Sequence, residues 1–220
     1  MPGKNVKPLG GKPLIAWSVE TALQVPDIDR VIASTDDERI AEVVRRYGAE
    51  VYLRPSELAG DDSLVIDALR DLSTRLSSEG ENAEIMVLLE PTCPFRAIED
   101  VNDCLALLRK GYNSAATFKM AALNPHRAWR IVNDRPEPFL RGANPWLPRQ
   151  SLPAAHQLNG AVYAFETFCL DTDSPGLLFG RIGAVVMPDE RSVDIDGPMD
   201  FIVAEEVLRA RACCTDHRSE

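Results

Sequence analysis

The chain has 220 residues, a length that suits one large α/β domain better than two small ones. Apolar residues make up 45% and charged residues 26%, an ordinary globular balance, and the formal net charge is −10 with no basic tract. That charge argues against nucleic acid and anionic membrane as partners, because both call for a positive face. It leaves room for a small phosphorylated ligand held by a few local cations.

No apolar run reaches the length of a membrane span, and Met-Pro-Gly-Lys-Asn at the start is not a signal peptide. The five cysteines are Cys93, Cys104, Cys169, Cys213 and Cys214. Their odd number and the lack of any C-x-x-C spacing predict a reducing cytoplasm rather than a disulfide framework or zinc site. Cys93, Cys104 and Cys169 read as small buried hydrophobes.

Residues 13–24 carry Ile15, Val19 and Ala22–Leu23 on one stripe, with Pro13 at a first helical position, and predict an amphipathic helix. Residues 30–34 predict a buried strand. Residues 36–47 predict a helix with acids in its first turn, Arg45 and Arg46 in its last and Gly48 as its stop. A second strand at 50–53 follows, then a helix at 61–76 capped by Asp61 or Asp62. Residues 85–89 predict a strand broken by Pro91-Thr-Cys-Pro94. A helix at 98–109 ends at Gly111, and 114–119 is another strand.

This alternation predicts parallel strands with right-handed crossovers, helices on both faces, and ligands at the strands' carboxyl ends. From 121 to 153 the rhythm fails. Six prolines from Pro125 to Pro153 surround Trp129 and Trp146, which predicts an arm off the main sheet. Strands return at 160–165 and 181–186, the last helix spans 198–211, and 213–220 reads as a frayed tail.

Several segments offer chemistry. Asp194-Ile-Asp196 places two carboxylates at i and i+2, on one side of an extended segment. It reads either as a hard-oxygen site for Mg²⁺ or as a solvated turn with a helix cap. Gly3-Lys4-Asn5 with Gly10-Gly11-Lys12 reads as a phosphate-facing loop or an ordinary basic terminus. Arg149 could fork onto a carboxylate, and Asn159 and Tyr163 would share one strand face. In Glu90-Pro-Thr-Cys-Pro-Phe-Arg96, Thr92 and Arg96 read as substrate contacts or as a rigid turn with an exposed arginine. Helix capping is sufficient for Ser34-Thr-Asp-Asp37, and His126, His156 and His217 form no cluster.

In order, the segments PGKNVKPLGGKPLI, VIASTDD, YGAEV with LRP, EPTCPFR, RQSLP, NGAVY and DID resemble the acylneuraminate cytidylyltransferase family, the CMP-sialic acid synthetases and their relatives. The resemblance runs to about residue 208. It implies a doubly wound, mostly parallel sheet of the nucleotide-diphospho-sugar transferase type. It also implies a reaction in which the anomeric hydroxyl of a nine-carbon α-keto acid sugar attacks the α-phosphate of CTP, pyrophosphate leaves and Mg²⁺ assists.

On that resemblance Lys4, Asn5, Arg54 and Ser63 would contact the nucleotide, and Lys4 would join Asp194 and Asp196 in the catalytic set. Asp194 and Asp196 would hold Mg²⁺. Arg149 would grip the sugar carboxylate, with Glu90, Asn159 and Tyr163 lining the sugar pocket. The arm at 121–153 would cross to a partner in a homodimer.

Two departures follow. Glu90 stands where the family has glutamine, which leaves sialic, legionaminic and pseudaminic types of sugar acid open. The family also carries a strand and an Ala-Arg-x-Gly-Ser-Lys-Gly-type loop ahead of the position of Pro2. The expectation is therefore a single domain over 1–212 that lacks that strand and loop, with neighbouring strand edges unpaired. Competing readings are an inactive paralogue that only binds nucleotide or sugar, and an enzyme for an eight-carbon keto acid, against which Arg149 and Asn159 argue.

Overall fold

The computed structural model describes all residues except Pro2, 61–62, 172–175 and 217–220. The proposed cap residues Asp61 and Asp62, and the end of the expected tail, lie outside the described residues.

The chain opens with a 3-10 turn at Lys4–Val6 and a two-residue hairpin, β1 (Pro8–Leu9) and β2 (Lys12–Pro13). Gly10 and Gly11 form its turn at φ 57° and 84°, the pair of positive values that a tight hairpin turn requires. A Cβ on Gly10 would stand 2.6 Å from Leu208 Cδ1, and Lys12 pairs with Glu20 while lying over the Trp17 ring. Gly10-Gly11-Lys12 is thus a packed hairpin, not an open phosphate loop.

Next come α1 (Leu14–Leu23), β3 (Ile32–Thr35), α2 (Glu38–Arg46) and β4 (Glu50–Leu53). α2 is capped by the Asp37 carboxylate, which accepts the Arg39 amide at 2.8 Å. The parallel pair β3–β4 is sealed by Ile15 and Val19 of α1 and Val44 of α2.

The rest forms a four-stranded sheet ordered β10-β6-β9-β5, from β5 (Ile85–Leu88), β6 (Ser114–Met120), β9 (His156–Glu166) and β10 (Ile182–Val186). The doubly wound α/β expectation holds, with β6 and β10 parallel and β3 and β4 parallel. β9 runs antiparallel to both neighbours, so the sheet is mixed. β9 is also longer than the expected 160–165. Among the described residues β3 pairs only with β4 and β5 only with β9.

Side-chain alternation along β9 divides the core. Val162 and Ala164 face α4 (Ile98–Arg109), while Phe165 faces α3 (Val65–Ser78) with Ile66 and Leu170. Burying a side chain such as Phe165 contributes ~1.5–3 kcal/mol. Helices therefore cover both faces, as an α/β fold requires.

The arm at 121–153 contains the hairpin β7 (Trp129–Val132) and β8 (Arg135–Pro138), which turns through Asn133 and Asp134 at φ 48° and 63°. Trp146 packs edge-on to Trp129 at 6.2 Å yet remains 83% exposed.

The last helix, α5 (Pro198–Asp216), outruns the expected end at 211. Among the described residues no helix is long and apolar enough to cross a membrane. Cys93, Cys104 and Cys169 are buried, and burial pushes the first two thiols up to about 12.

Candidate active site

Three chain segments converge beyond the carboxyl end of β5. The turn at 91–96 leaves β5, the middle of β9 crosses beneath it, and the segment from β10 to α5 docks on it through the Ile195 amide, which donates to the Thr92 carbonyl at 2.9 Å. Ile195 is fully buried between Asp194 and Asp196, both exposed, so the two carboxylates point away from the core as their spacing predicts. The helix-cap alternative for Asp196 fails because Asp200 caps α5 instead. Its carboxylate accepts the amides of Asp196 and Gly197 at 2.9 and 2.7 Å. Pro198 at the first helical position and an acid two residues later are a cap signal legible in the sequence.

Lys4 reaches this segment from the other end of the chain. Its Nζ donates to Asp196 Oδ1 at 2.9 Å and to the Ile195 carbonyl at 3.1 Å. The 3-10 turn that carries Lys4 rests on α1 and α2, so it sits near the carboxyl end of β3. Three polar atoms on these segments are buried without a hydrogen-bond partner: Asn5 Oδ1 in the turn, Ser34 Oγ in β3, and Arg54 Nε just past β4. The Arg54 amide is tied to the Thr35 carbonyl at 3.1 Å, and its guanidinium lies 3.9 Å from Asp36. Buried orphan donors and acceptors are costly. At the paired ends of β3 and β4, Ser34 and Arg54 offer groups that a polar ligand would satisfy. Ser34 was read from the sequence as part of a helix cap, and no sequence signal singled it out. Ser63 donates to the Glu57 carbonyl at 3.1 Å and has no described contact with this group.

Glu90, half-buried, lies two residues past the end of β5. Burial raises its carboxyl above the usual range, Asp194 adds to the rise, and Arg96 and Lys4 oppose it. Gly160 has φ 72°, which favours glycine, and a Cβ there would stand 2.8 Å from Glu90 Oε2, pushing that movable carboxylate aside. Tyr163 is half-buried beside them. Burial first and Glu90 second push its phenol up to about 12.

Asn159 departs from its expected place. The register of β6 against β9 slips between Ala116 and Phe118, opposite Asn159–Val162, so Asn159 and Tyr163 lose their common face. Asn159 is 2% exposed. Its amide is spent on the Thr117 and Ser192 hydroxyls at 2.7 and 3.0 Å. Arg96 also departs from the exposed alternative, being fully enclosed. Arg149 is exposed in a 3-10 turn of the arm and has no described contact with the cluster.

The carboxylates present fit a metal only in part. Among the described residues no group of three His, Cys, Asp or Glu side chains is clustered as a resident metal cage needs. Two exposed carboxylates fit Mg²⁺, which keeps its waters and is completed by substrate phosphates. A pocket of about 390 Å³ lies between β3–β4 and α3, lined by Ile32, Val51, Leu72 and Leu76 among others, and holds none of these residues.

In an open α/β fold, polar side chains gathered at the carboxyl ends of the strands mark a ligand-binding crevice. The sequence pattern of the cytidylyltransferase family matches residues 1–174, and the chain belongs to that family, whose class is nucleotidyl transfer. CMP-N,N'-diacetyllegionaminic acid synthase of Legionella pneumophila is 30% identical over 226 residues, covering 94% of this chain and 90% of that protein. N-acylneuraminate cytidylyltransferase of Escherichia coli O18:K1:H7 is 31% identical over 205 residues, covering 91% of this chain and 47% of that one. A solved CMP:2-keto-3-deoxy-manno-octonic acid synthetase complexed with CTP superposes with a TM-score of 0.68 at 20% identity. The match covers 96% of this chain and 93% of that one, and it is a likeness of fold.

Proposed function

We propose that this chain transfers CMP from CTP to the anomeric hydroxyl of a nine-carbon α-keto acid sugar of sialic, legionaminic or pseudaminic type. The hydroxyl oxygen bonds to the α-phosphorus, the bond from that phosphorus to the β-phosphate oxygen breaks, the hydroxyl proton is lost, and pyrophosphate leaves. The observation that carries the reading is the meeting of Lys4, Asp194 and Asp196 with Glu90 beyond one strand end, with further orphan polar atoms on Asn5, Ser34 and Arg54. The names of the relatives supply the substrate class.

In this reading Asn5, Arg54 and Ser63 face the nucleotide, and Lys4 offsets charge developing on the phosphates. Glu90, Asn159 and Tyr163 build the sugar end, Asn159 by holding the bulge in β9 rather than by touching sugar. Asp194 and Asp196 would hold Mg²⁺, which would neutralise phosphate charge and align the leaving group. The arm, with Arg149 on it, docks on a second copy, and Arg149 completes a sugar end by meeting the sugar carboxylate. Free buried cysteines suit a reducing cytoplasm.

The test is pyrophosphate release from CTP and Mg²⁺ with a panel of eight- and nine-carbon keto acid sugars. Turnover with a nine-carbon acid, abolished by a chelator, is expected. No release with any acid at any Mg²⁺ concentration, with CTP still bound, would establish a binding protein instead.

A further inference from the structure

Arg96 is 4% exposed, and its guanidinium bonds three separate elements. Nε donates to the Ala161 carbonyl of β9 at 2.7 Å, Nη1 to Ser18 Oγ of α1 at 2.5 Å, and Nη2 to the backbone carbonyl of Glu90. Two of these anchors flank one contact. Glu90 and the Gly160–Ala161 link are stapled together, and Glu90's own carboxylate lies against Gly160. The three direct acceptors are neutral, and the Glu90 and Asp100 carboxylates offset the charge only from a distance, so enclosing this cation is an expensive arrangement for a mere staple. Glu90 feels Asp194 and Asp196, and among the described residues Lys4 and Arg96 are the cations that oppose them there.

We infer that Arg96 is the positioning residue of the sugar end, setting Glu90's carboxylate over Gly160 and supplying a fixed positive charge beneath a site that must admit an acidic sugar. The inference rests on the CMP transfer proposed above. Arg96 touches no substrate. It acts through Glu90 and through the field it adds in an enclosed place.

The experiment compares Arg96→Lys, Glu90→Gln, the double variant and Ser18→Ala in steady-state kinetics, with crystal structures of Arg96→Lys and Ser18→Ala. Arg96→Lys keeps the charge and loses the fork. Its KM for the sugar acid is expected to rise about tenfold with the KM for CTP within about twofold. The double variant should fall within about twofold of Glu90→Gln alone, because both changes act on one group. In the crystal the Glu90 carboxylate should leave Gly160. Equal effects on both substrates, multiplicative effects with Glu90→Gln, or an unmoved Glu90 would overturn the inference. Should Arg96→Lys not fold, Ser18→Ala, which removes one acceptor, should show the same split and displacement to a smaller degree. A parent protein that releases no pyrophosphate with any sugar defeats the functional reading, and the crystallographic displacement still decides the role of Arg96.

Discussion

Lys4 and Asp196 stand 192 positions apart in the chain, yet Lys4 Nζ donates to Asp196 Oδ1 at 2.9 Å. The contact pins the first turn of the protein to the segment that presents the two carboxylates. The Asp196 side chain remains 77% exposed, so its second oxygen stays available to a ligand.

Asp196→Asn should therefore abolish Mg²⁺-dependent pyrophosphate release while leaving the fold intact. An exposed substitution of this kind changes stability by within about 0.5 kcal/mol. Calorimetric unfolding beside the turnover assay checks both halves. Near-normal turnover would remove Asp196 from the proposed metal pair.

Arg54→Ala and Ser34→Ala address the orphan atoms at the ends of β3 and β4. A buried, unpartnered hydroxyl is a liability in the free protein, so Ser34→Ala should leave stability unchanged or slightly raise it. Both variants should weaken CTP binding by about tenfold, as read by titration calorimetry. Unaltered CTP affinity in both would place the nucleotide elsewhere.

Gly160→Ala meets two penalties at one atom. A non-glycine residue at φ 72° costs ~1 kcal/mol. The new Cβ would also stand 2.8 Å from Glu90 Oε2 and 3.4 Å from Cys93 Sγ. A total loss of ~1–2 kcal/mol is expected in urea unfolding. Adding Glu90→Ala should return only part of it, since the backbone penalty persists.

Glu90 predicts a pH dependence with a definite sign. Its folded-state carboxyl is raised, by burial first and by Asp194 second, so between the ordinary carboxylate range and the raised value the folded protein binds more protons than the unfolded chain. This residue's contribution to stability then falls as pH rises through that window, and the penalty is complete above it. Glu90→Gln should be more stable than the parent at pH 8 in metal-free buffer, with the difference shrinking at pH 4. Denaturant midpoints at several pH values measure it, and a constant difference across pH would contradict the burial of the charge.

What the sequence determined by itself was local. Residues 50–53 and 98–109 emerge as β4 and α4 with the same bounds, because period, acids and glycine stops act within a few residues. The family was also legible, since each segment that resembles it is a contiguous string. The tertiary structure decided what depends on distant partners. β9 runs antiparallel because β5 and β6 flank it, and no pattern inside 156–166 encodes the direction of its neighbours. The slip opposite Thr117 turned Asn159 inward, where two hydroxyls from separate segments consume its amide. From the sequence Arg96 reads as a substrate contact or as an exposed arginine on a rigid proline turn. Only the packing of α1 and β9 around that turn enclosed its charge, because burial and electrostatics are set by elements far apart in the chain.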